Sequence, residues 1–258
     1  IIKIMTTIQG ITFDYSPYIV ENLLSDNYDS DGLLKNVFYI ERLYYGYYRN
    51  NKTDSYCLDA ARKQILAFDN DYMLNLFSGW YKKVYVRMLI LAYIYLKFHK
   101  RPKQQFENLC RCFSEELNDY AIPELSMAYD FYYYHNVDFL SCIQKNTKNL
   151  ICKLKNMSWD IAHIRNVYES SLAVNGGDLC IQYFCTFDDN LVDILKYFEL
   201  EALAVCKRTK ETIPYFHINN IPVKMISKYF YGINHENTAD IDAIITKYEN
   251  LLEQIMAG

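Results

Sequence analysis

LCIQYFCTFDDNL, residues 179–191, is the stretch from which the fold is predicted. Its first part is apolar and aromatic, and a short run of this kind is typical of a buried strand. The run ends in Thr186, Asp188 and Asp189. In open α/β sheets the carboxyl ends of the strands are where ligands collect. We therefore expect a strand here with a candidate site at its end.

A second stretch near the start of the chain has the same ending. Residues 10–15 read GITFDY, so a short apolar run again ends in Thr-Phe-Asp, with Asp14 as its acid. If both strands end at the same edge of a sheet, Asp14 and Asp188 lie side by side. Paired carboxylates of this kind predict a site for a divalent cation.

The rest of the chain predicts a mixed α/β fold that is predominantly helical. Only 8 of the 258 residues are Gly and 5 are Pro, which favours helices over an all-β fold. Both ends alternate between strand and helix patterns, with further strands expected at 202–206 and 215–218, whereas the middle shows helix patterns only. This organisation predicts an α/β layer with a parallel sheet built from residues 1–50 and 151–258, and an all-helical insertion at 51–150.

The composition indicates which cellular compartment and which classes of partner are expected. The net charge is −4, so the chain as a whole lacks the basic excess of a protein that binds nucleic acid along its whole surface. The eight cysteines form no Cys-x-x-Cys pair, which argues against zinc and for a reducing, cytoplasmic setting. Residues 84–98 are strongly apolar but fewer than the roughly 20 that a spanning helix needs. They predict a buried core helix, and no membrane partner is expected.

Three short motifs resemble the PIN-domain nucleases, the group that includes VapC-type toxins. Trp159-Asp160-Ile-Ala is followed by a glycine turn and a strand ending in Thr186-Phe187-Asp188, and Ile40-Glu41-Arg-Leu43 is similar to the mid-domain acidic motif. The similarity covers residues 10–50 and 155–210. It implies a PIN-like parallel sheet flanked by helices, with an acidic residue opening the helix near residue 160.

The resemblance also implies a set of site residues. The catalytic set is Asp14, Glu41, Asp160 and Asp188. The expected ligands of Mg²⁺ or Mn²⁺ are Asp14, Asp160, Asp188 and Asp189. The expected substrate contacts are Thr186, His163 and Arg165. Such an ion would lower the pKa of a bound water and neutralise charge on the phosphate.

These expectations lead to a divalent-metal-dependent nuclease, with RNA favoured over DNA as substrate. A toxin or defence role with an inhibitory protein partner follows by analogy, and the oligomeric state stays open. One alternative is a non-catalytic helical interaction or regulatory protein with a degenerate nuclease fold. Another keeps the metal but hydrolyses a different phosphate ester.

Each predicted site residue also has an ordinary structural explanation. Asp160 in a first helical turn would favour the helix dipole, and Asp188 or Asp189 could cap the next helix. Asp14 could end a strand in a turn. Glu41 could pair with a neighbouring cation, and Glu21 competes with it for the same role.

Two further segments have both a functional and a structural interpretation. Residues 97–103, KFHKRPK, form the compact basic cluster of the sequence, which is typical either of a solvated helix end or of a contact with a nucleic-acid backbone. Residues 129–135, YDFYYYH, could stack on bases or pack between helices. Nothing in the sequence connects the two segments.

Overall fold

The computed structural model of the chain describes residues 15–25, 27–44, 52–170, 174–175, 178–179, 188–205, 212–217, 220–230 and 239–257. The chain divides into two compact units, residues 1–80 and residues 81–258. This boundary differs from the predicted division, in which residues 51–150 were an insertion between the two ends of the chain. The units are called the first and the second unit below.

Most of the described chain is helical. The α-helices are α1 (Ser16–Leu23), α2 (Ser30–Glu41), α3 (Asp54–Phe68), α4 (Asp71–Lys97), α5 (Pro102–Glu115), α6 (Ile122–Tyr134), α7 (Leu150–Ser170), α8 (Asp189–Leu195), α9 (Val223–Phe230) and α10 (Ile241–Ala257). Two short 3₁₀ turns are η1 (Asp138–Leu140) and η2 (Lys196–Phe198). The strands are β1 (Val174–Asn175), β2 (Asp178–Leu179), β3 (Leu200–Val205) and β4 (Thr212–Phe216).

The first unit is built from α1, α2, α3 and the start of α4. Local signals set where these helices begin: Asp29 caps α2 by accepting from the backbone N–H of Asp31 and Gly32, and Thr53 caps α3. Residues of α1, α2 and α3 then meet in a small apolar core. Its buried members are Ile19, Leu33, Val37 and Ala61.

The second unit is organised around two helices that each contain a long buried segment. Residues 84–92 of α4 and 122–132 of α6 are buried continuously, so each helix is surrounded by protein rather than facing solvent on one side. The predicted buried helix at 84–98 is therefore confirmed. Within the part of the chain that the structure describes, no helix has the length and apolar character that crossing a bilayer requires.

The prediction of an α/β fold with a PIN-like parallel sheet is wrong, because the protein is helical. In the described ranges the strands form only two antiparallel pairs, β1 with β2 and β3 with β4. β3 and β4 are consecutive in the chain, whereas parallel neighbours would need a crossover connection between them. The predicted strand at 202–206 does correspond to β3. The predicted strands at 9–14 and over most of 179–187 lie outside the described residues.

The helix that contains Asp160 begins earlier than the PIN resemblance implies. α7 starts at Leu150, so Asp160 lies well inside the helix and not in its first turn. A continuous apolar stripe explains the early start, since Leu150, Leu154, Met157 and Ile161 are all buried on it. Ser158 precedes Trp159 and Asp160 in the sequence, a pattern typical of a helix cap, but its hydroxyl is fully buried and donates to the carbonyl of Leu154 at 2.6 Å.

The two tryptophans of the chain lie in different units and have different surroundings. Trp80, the last residue of the first unit, contacts the edge of Phe77 at 5.3 Å between ring centroids. Trp159 of α7 stacks on Tyr81 at 4.2 Å, and the two rings are nearly parallel.

Candidate functional site

Asp188 and Asp189 lie at the start of α8, exposed to solvent. Asp188 is the N-cap residue: its backbone is extended and its Oδ1 accepts from the backbone N–H of Asn190 at 2.9 Å. Asp189 follows in the first turn, where a carboxylate is favoured by the helix dipole. The capping explanation of Asp188 is therefore observed, and it satisfies a backbone donor that the helix start would otherwise leave open.

Asp160 and His163 lie one turn apart on α7 and are both half-buried. The ring of His163 lies 5.7 Å from that of Trp159. Burial lowers the pKa of His163 to about 4, so the imidazole is neutral at pH 7. A neutral ring can hydrogen-bond to a phosphate, but it does not attract one by charge.

Arg165 is bonded inside the second unit, and its side chain is 15% exposed. Its Nε donates to Oε1 of Glu124 at 3.0 Å and its Nη2 donates to Oε2, so one guanidinium spans both carboxylate oxygens. The same guanidinium lies 5.9 Å from the ring centroids of Phe198 and Phe216. Arg165 therefore has a structural role in the second unit, and its contact with a substrate stays a prediction.

Glu41 is the last residue of α2 and is only 3% exposed. It follows Leu33 and Val37 on the stripe that faces the core of the first unit. Its Oε2 has no hydrogen-bond partner among the described residues, and Arg42 pairs with Asp54 at 3.1 Å. Burial raises the pKa of Glu41, because a carboxylate in this position loses its water.

The predicted metal site is not assembled within the described part of the chain. Asp14 and Thr186 lie outside it. Among the residues that the structure does describe, no three His, Cys, Asp or Glu side chains form a group that could hold a metal ion. Asp160, Asp188, Asp189 and Glu41 therefore do not supply a Mg²⁺ donor set by themselves.

A buried ionic network, absent from the sequence predictions, forms the polar centre of the second unit. It joins α4, α6 and α7 through four side chains: Arg87, Asp119, Glu124 and Arg165. Arg87 donates through Nε to Asp119 at 2.9 Å and through Nη1 to Glu124 at 3.0 Å. Glu124 itself is fully buried and is shared by both guanidinium groups.

The network keeps both of its acids ionised. Burial alone would raise the pKa of Glu124, but the guanidinium groups of Arg165 and Arg87 outweigh it and hold that pKa below its usual range. The pKa of Asp119 is lowered in the same way: burial opposes the shift, and Arg87 dominates. Charges in low dielectric are tolerated only when they are paired and hydrogen-bonded, as they are here.

A second buried acid is held by neutral donors. Asp130 of α6 accepts from the Tyr197 hydroxyl at 2.9 Å and from the Asn220 side-chain amide at 3.1 Å. Burial, and then the bond to Asp130, raise the pKa of Tyr197. These bonds tie η2 and residue 220 to α6, so this polar group is also structural.

The two segments that the sequence left unconnected meet at one end of the second unit. The ring of Tyr95, near the end of α4, has His99 at 6.3 Å and His135 also at 6.3 Å. The side-chain amide of Gln105 on α5 donates to the backbone oxygen of Tyr95 at 3.0 Å. The end of α4, the start of α5 and the end of α6 are thereby held together.

We call this surface the basic end, and we define it by its exposed polar and aromatic residues. These are Lys97, His99, Lys100, Arg101, Lys103, Tyr134 and His135. The basic cluster at 97–103 could be recognised from the sequence alone. The sequence alone did not show that this cluster lies near residues 134 and 135, because a turn and two helices separate the two segments along the chain.

Comparisons with known proteins give no further guide: no family model, curated protein or solved structure matches the chain. The PIN resemblance consequently rests on its short motifs. One of those motifs implies that Asp160 opens a helix, whereas in the structure Asp160 lies well inside α7.

Proposed function

We propose that this chain is a non-catalytic helical interaction protein. The observation that carries the proposal is the use of Arg165, a predicted substrate contact, in the buried network with Glu124. The hydrogen bond from the backbone N–H of Asn190 to Asp188 supports the proposal, because Asp188, a predicted metal ligand, acts there as a helix cap. Side chains expected to act on a substrate are thus engaged in holding the fold.

The proposal is tested by looking for hydrolysis under conditions that favour it. Purified protein is incubated with a mixed RNA pool, with single-stranded DNA and with a generic phosphomonoester. Each reaction contains about 10 mM Mn²⁺ or Mg²⁺, above the dissociation constants of roughly 10⁻⁴–10⁻³ M that are typical of weak divalent-ion sites. We expect no turnover above that of Asp188→Asn prepared identically. Turnover that disappears in Asp188→Asn would overturn the proposal.

The metal-dependent endoribonuclease predicted from the sequence is the second candidate. What favours it is that Asp188 and Asp189 are exposed and Asp160 is only half-buried, so a hydrated ion can reach these carboxylates. Asp14 would have to complete the donor set for Mg²⁺ or Mn²⁺. A cytoplasmic toxin or defence role with an inhibitory protein partner belongs to this candidate.

A thermal-shift series with Mn²⁺ separates the two candidates without relying on activity. An ion that binds only the folded protein raises the melting temperature with concentration. The nuclease candidate predicts a rise that Asp188→Asn removes. The interaction-protein proposal predicts no difference between Asp188→Asn and the unsubstituted protein at any Mn²⁺ concentration.

A further inference from the structure

We infer that the basic end binds single-stranded nucleic acid, with phosphates on the cations of residues 97–103 and an unpaired base on Tyr134. The inference rests on the proposed function, since it names the partner of a binding protein. The chemistry required is a flexible polyanion that carries flat aromatic groups. RNA and DNA single strands share it, and the experiment distinguishes them.

Among the residues that the structure describes, the cations of the basic end have no acidic partners. Lys97, Lys100, Arg101 and Lys103 are exposed, and among the described residues none of them forms an ion pair. The chain as a whole carries a net charge of −4, so this positive surface is a local exception. Clustered cations of this kind bind phosphates because binding releases condensed counterions.

One of these cations is held in place by aromatic rings. The Nζ of Lys97 lies 4.9 Å from the ring centroid of Tyr93 and 5.6 Å from that of Phe98. It also bonds to the Tyr93 hydroxyl at 2.5 Å. A lysine that is already oriented loses less side-chain entropy when a phosphate binds.

Tyr134 supplies the stacking surface, and it precedes His135, whose ring lies 6.3 Å from that of Tyr95. The Tyr134 side chain is 57% exposed at the last residue of α6, where a base can reach its ring. The tyrosines behind it pack on one another, with Tyr129 and Tyr133 stacked at 4.4 Å. Stacking of bases on such rings is largely independent of sequence, which suits a general single-strand binder.

The backbone at Lys100 gives an independent reason to assign this surface a role. Lys100 has φ of 60°, in the left-handed region that disfavours side chains with a Cβ. Among the described non-glycine residues with positive φ, the others are Asn118, His135, Asn149 and Asn220, whose residue types tolerate it better. A glycine would end α4 with less strain, so a lysine at this position is explained if its charge is used.

The binding test uses fluorescence anisotropy with the intact protein. The probes are labelled 12-nucleotide oligo(U) and oligo(dT), and a labelled RNA duplex of the same length, a size chosen on the order of one single-strand binding site. We expect both single strands to bind more tightly than the duplex, in which the bases are already stacked. With four cations engaged, the plot of log affinity against log salt should have a slope of about −3.

Matched double variants test whether the affinity comes from the basic end. Lys100→Gln with Lys103→Gln should lower single-strand affinity by roughly tenfold or more at low salt and make the salt slope shallower by about 1.4. Lys35→Gln with Lys63→Gln removes the same charge from exposed positions of the first unit. That control should bind as the unsubstituted protein does; equal losses in both double variants would overturn the inference.

Two single variants test the stacking and the strain. Tyr134→Ala should weaken single-strand binding about fivefold or more while leaving duplex binding unchanged, whereas Tyr72→Ala, at a 74% exposed tyrosine of the first unit, should have no effect. Lys100→Gly should bind more weakly but melt at the same or a higher temperature. Unchanged affinity in Lys100→Gly and Tyr134→Ala would contradict the inference. Misfolding would not explain a loss of affinity in Lys100→Gly, because that variant is expected to be at least as stable as the unsubstituted protein.

The outcomes separate this inference from the proposed function. Cleavage of the single strands would overturn the non-catalytic proposal while leaving the binding surface intact. Failure of every nucleic acid to bind would overturn the inference and leave the proposal standing. Vesicles containing an anionic lipid form the last arm: binding to vesicles that depends on Lys100 and Lys103, without binding to oligo(U) or oligo(dT), would assign the surface to membranes instead and overturn the inference.

Discussion

Each unit of this protein buries a glutamate, and the two glutamates have opposite surroundings. Glu124 in the second unit is fully buried and bonded by two guanidinium groups, which keep its pKa low. Glu41 in the first unit is nearly as buried, but its Oε2 has no hydrogen-bond partner among the described residues and its pKa is raised. Burial alone therefore does not decide the charge of an acid; its partners do.

The largest expected effect concerns the paired glutamate. Glu124→Gln keeps the shape of the side chain but removes the charge that both Arg87 and Arg165 require. Removing one partner of a buried ion pair costs about 3–5 kcal/mol, because a buried charge is left uncompensated. Urea unfolding should show this loss in the free energy of unfolding.

Glu115→Gln provides the control, since Glu115 is exposed at the end of α5. Its effect should stay within about 0.5 kcal/mol. If Glu124→Gln changed the free energy of unfolding by no more than this control, the network would not hold the second unit together.

Acidification should change the stabilities of the two units in opposite directions. The lowered pKa values of Asp119 and Glu124 give the second unit stability that is present above their unfolded pKa values, about 4, and is lost as pH falls through the folded ones. The raised pKa of Glu41 gives the first unit stability that is complete below the unfolded pKa and is lost as pH rises through the folded one. Hydrogen exchange by mass spectrometry on the intact protein, corrected for intrinsic rates, should show opposite slopes; parallel slopes would contradict the comparison.

Asp188 is an intermediate case, because its partner is a neighbour in the chain. Asp188→Ala removes the cap of α8 and should cost about 1 kcal/mol, while Asp188→Asn caps equally well and should cost almost nothing. Melting temperatures of the two variants provide the measurement. An Asn variant as unstable as the Ala variant would show that the negative charge, and not the cap, matters at this position.

The unpaired glutamate should give a gain of stability when it is replaced. Glu41→Met fills the same space without a polar atom, so removing the unbonded oxygen should stabilise the first unit by about 1 kcal/mol at pH 7. Glu41→Gln removes the charge but keeps polar atoms in the same place, and it should gain less. Exchange protection of α2 and α3 measures both, and a loss of protection in Glu41→Met would indicate a partner for Glu41 beyond the described residues.

Features governed by neighbouring residues were predictable from the sequence. The apolar residues of 239–256 recur at helical spacing, which predicts an amphipathic helix. The structure forms α10, Ile241–Ala257, over these residues. α1 begins at Ser16 with Pro17 in its first turn, where proline is favoured, and the apolar run at 202–206 corresponds to β3. In each case the signal and the element occupy the same few residues.

Features that depend on distant partners were not predictable. Glu124 lies 37 residues from Arg87 and 41 from Arg165, so no local pattern connects them. The one available sign was Arg87 itself: a charge inside an apolar run that is predicted to be buried requires a partner. Ser158 and Asp160 show the converse error, since a pattern typical of a helix start lies inside a helix whose apolar stripe begins eight residues before Ser158.

The placement of the two tryptophans gives the protein a built-in optical reporter for each unit. Trp159 stacks on Tyr81 in the second unit and Trp80 contacts Phe77 in the first. Replacing Trp80 with Phe would leave emission from the second unit alone, and replacing Trp159 with Phe would leave emission from the first. The unfolding of either unit could then be followed by its own fluorescence, in the intact chain and without an added dye.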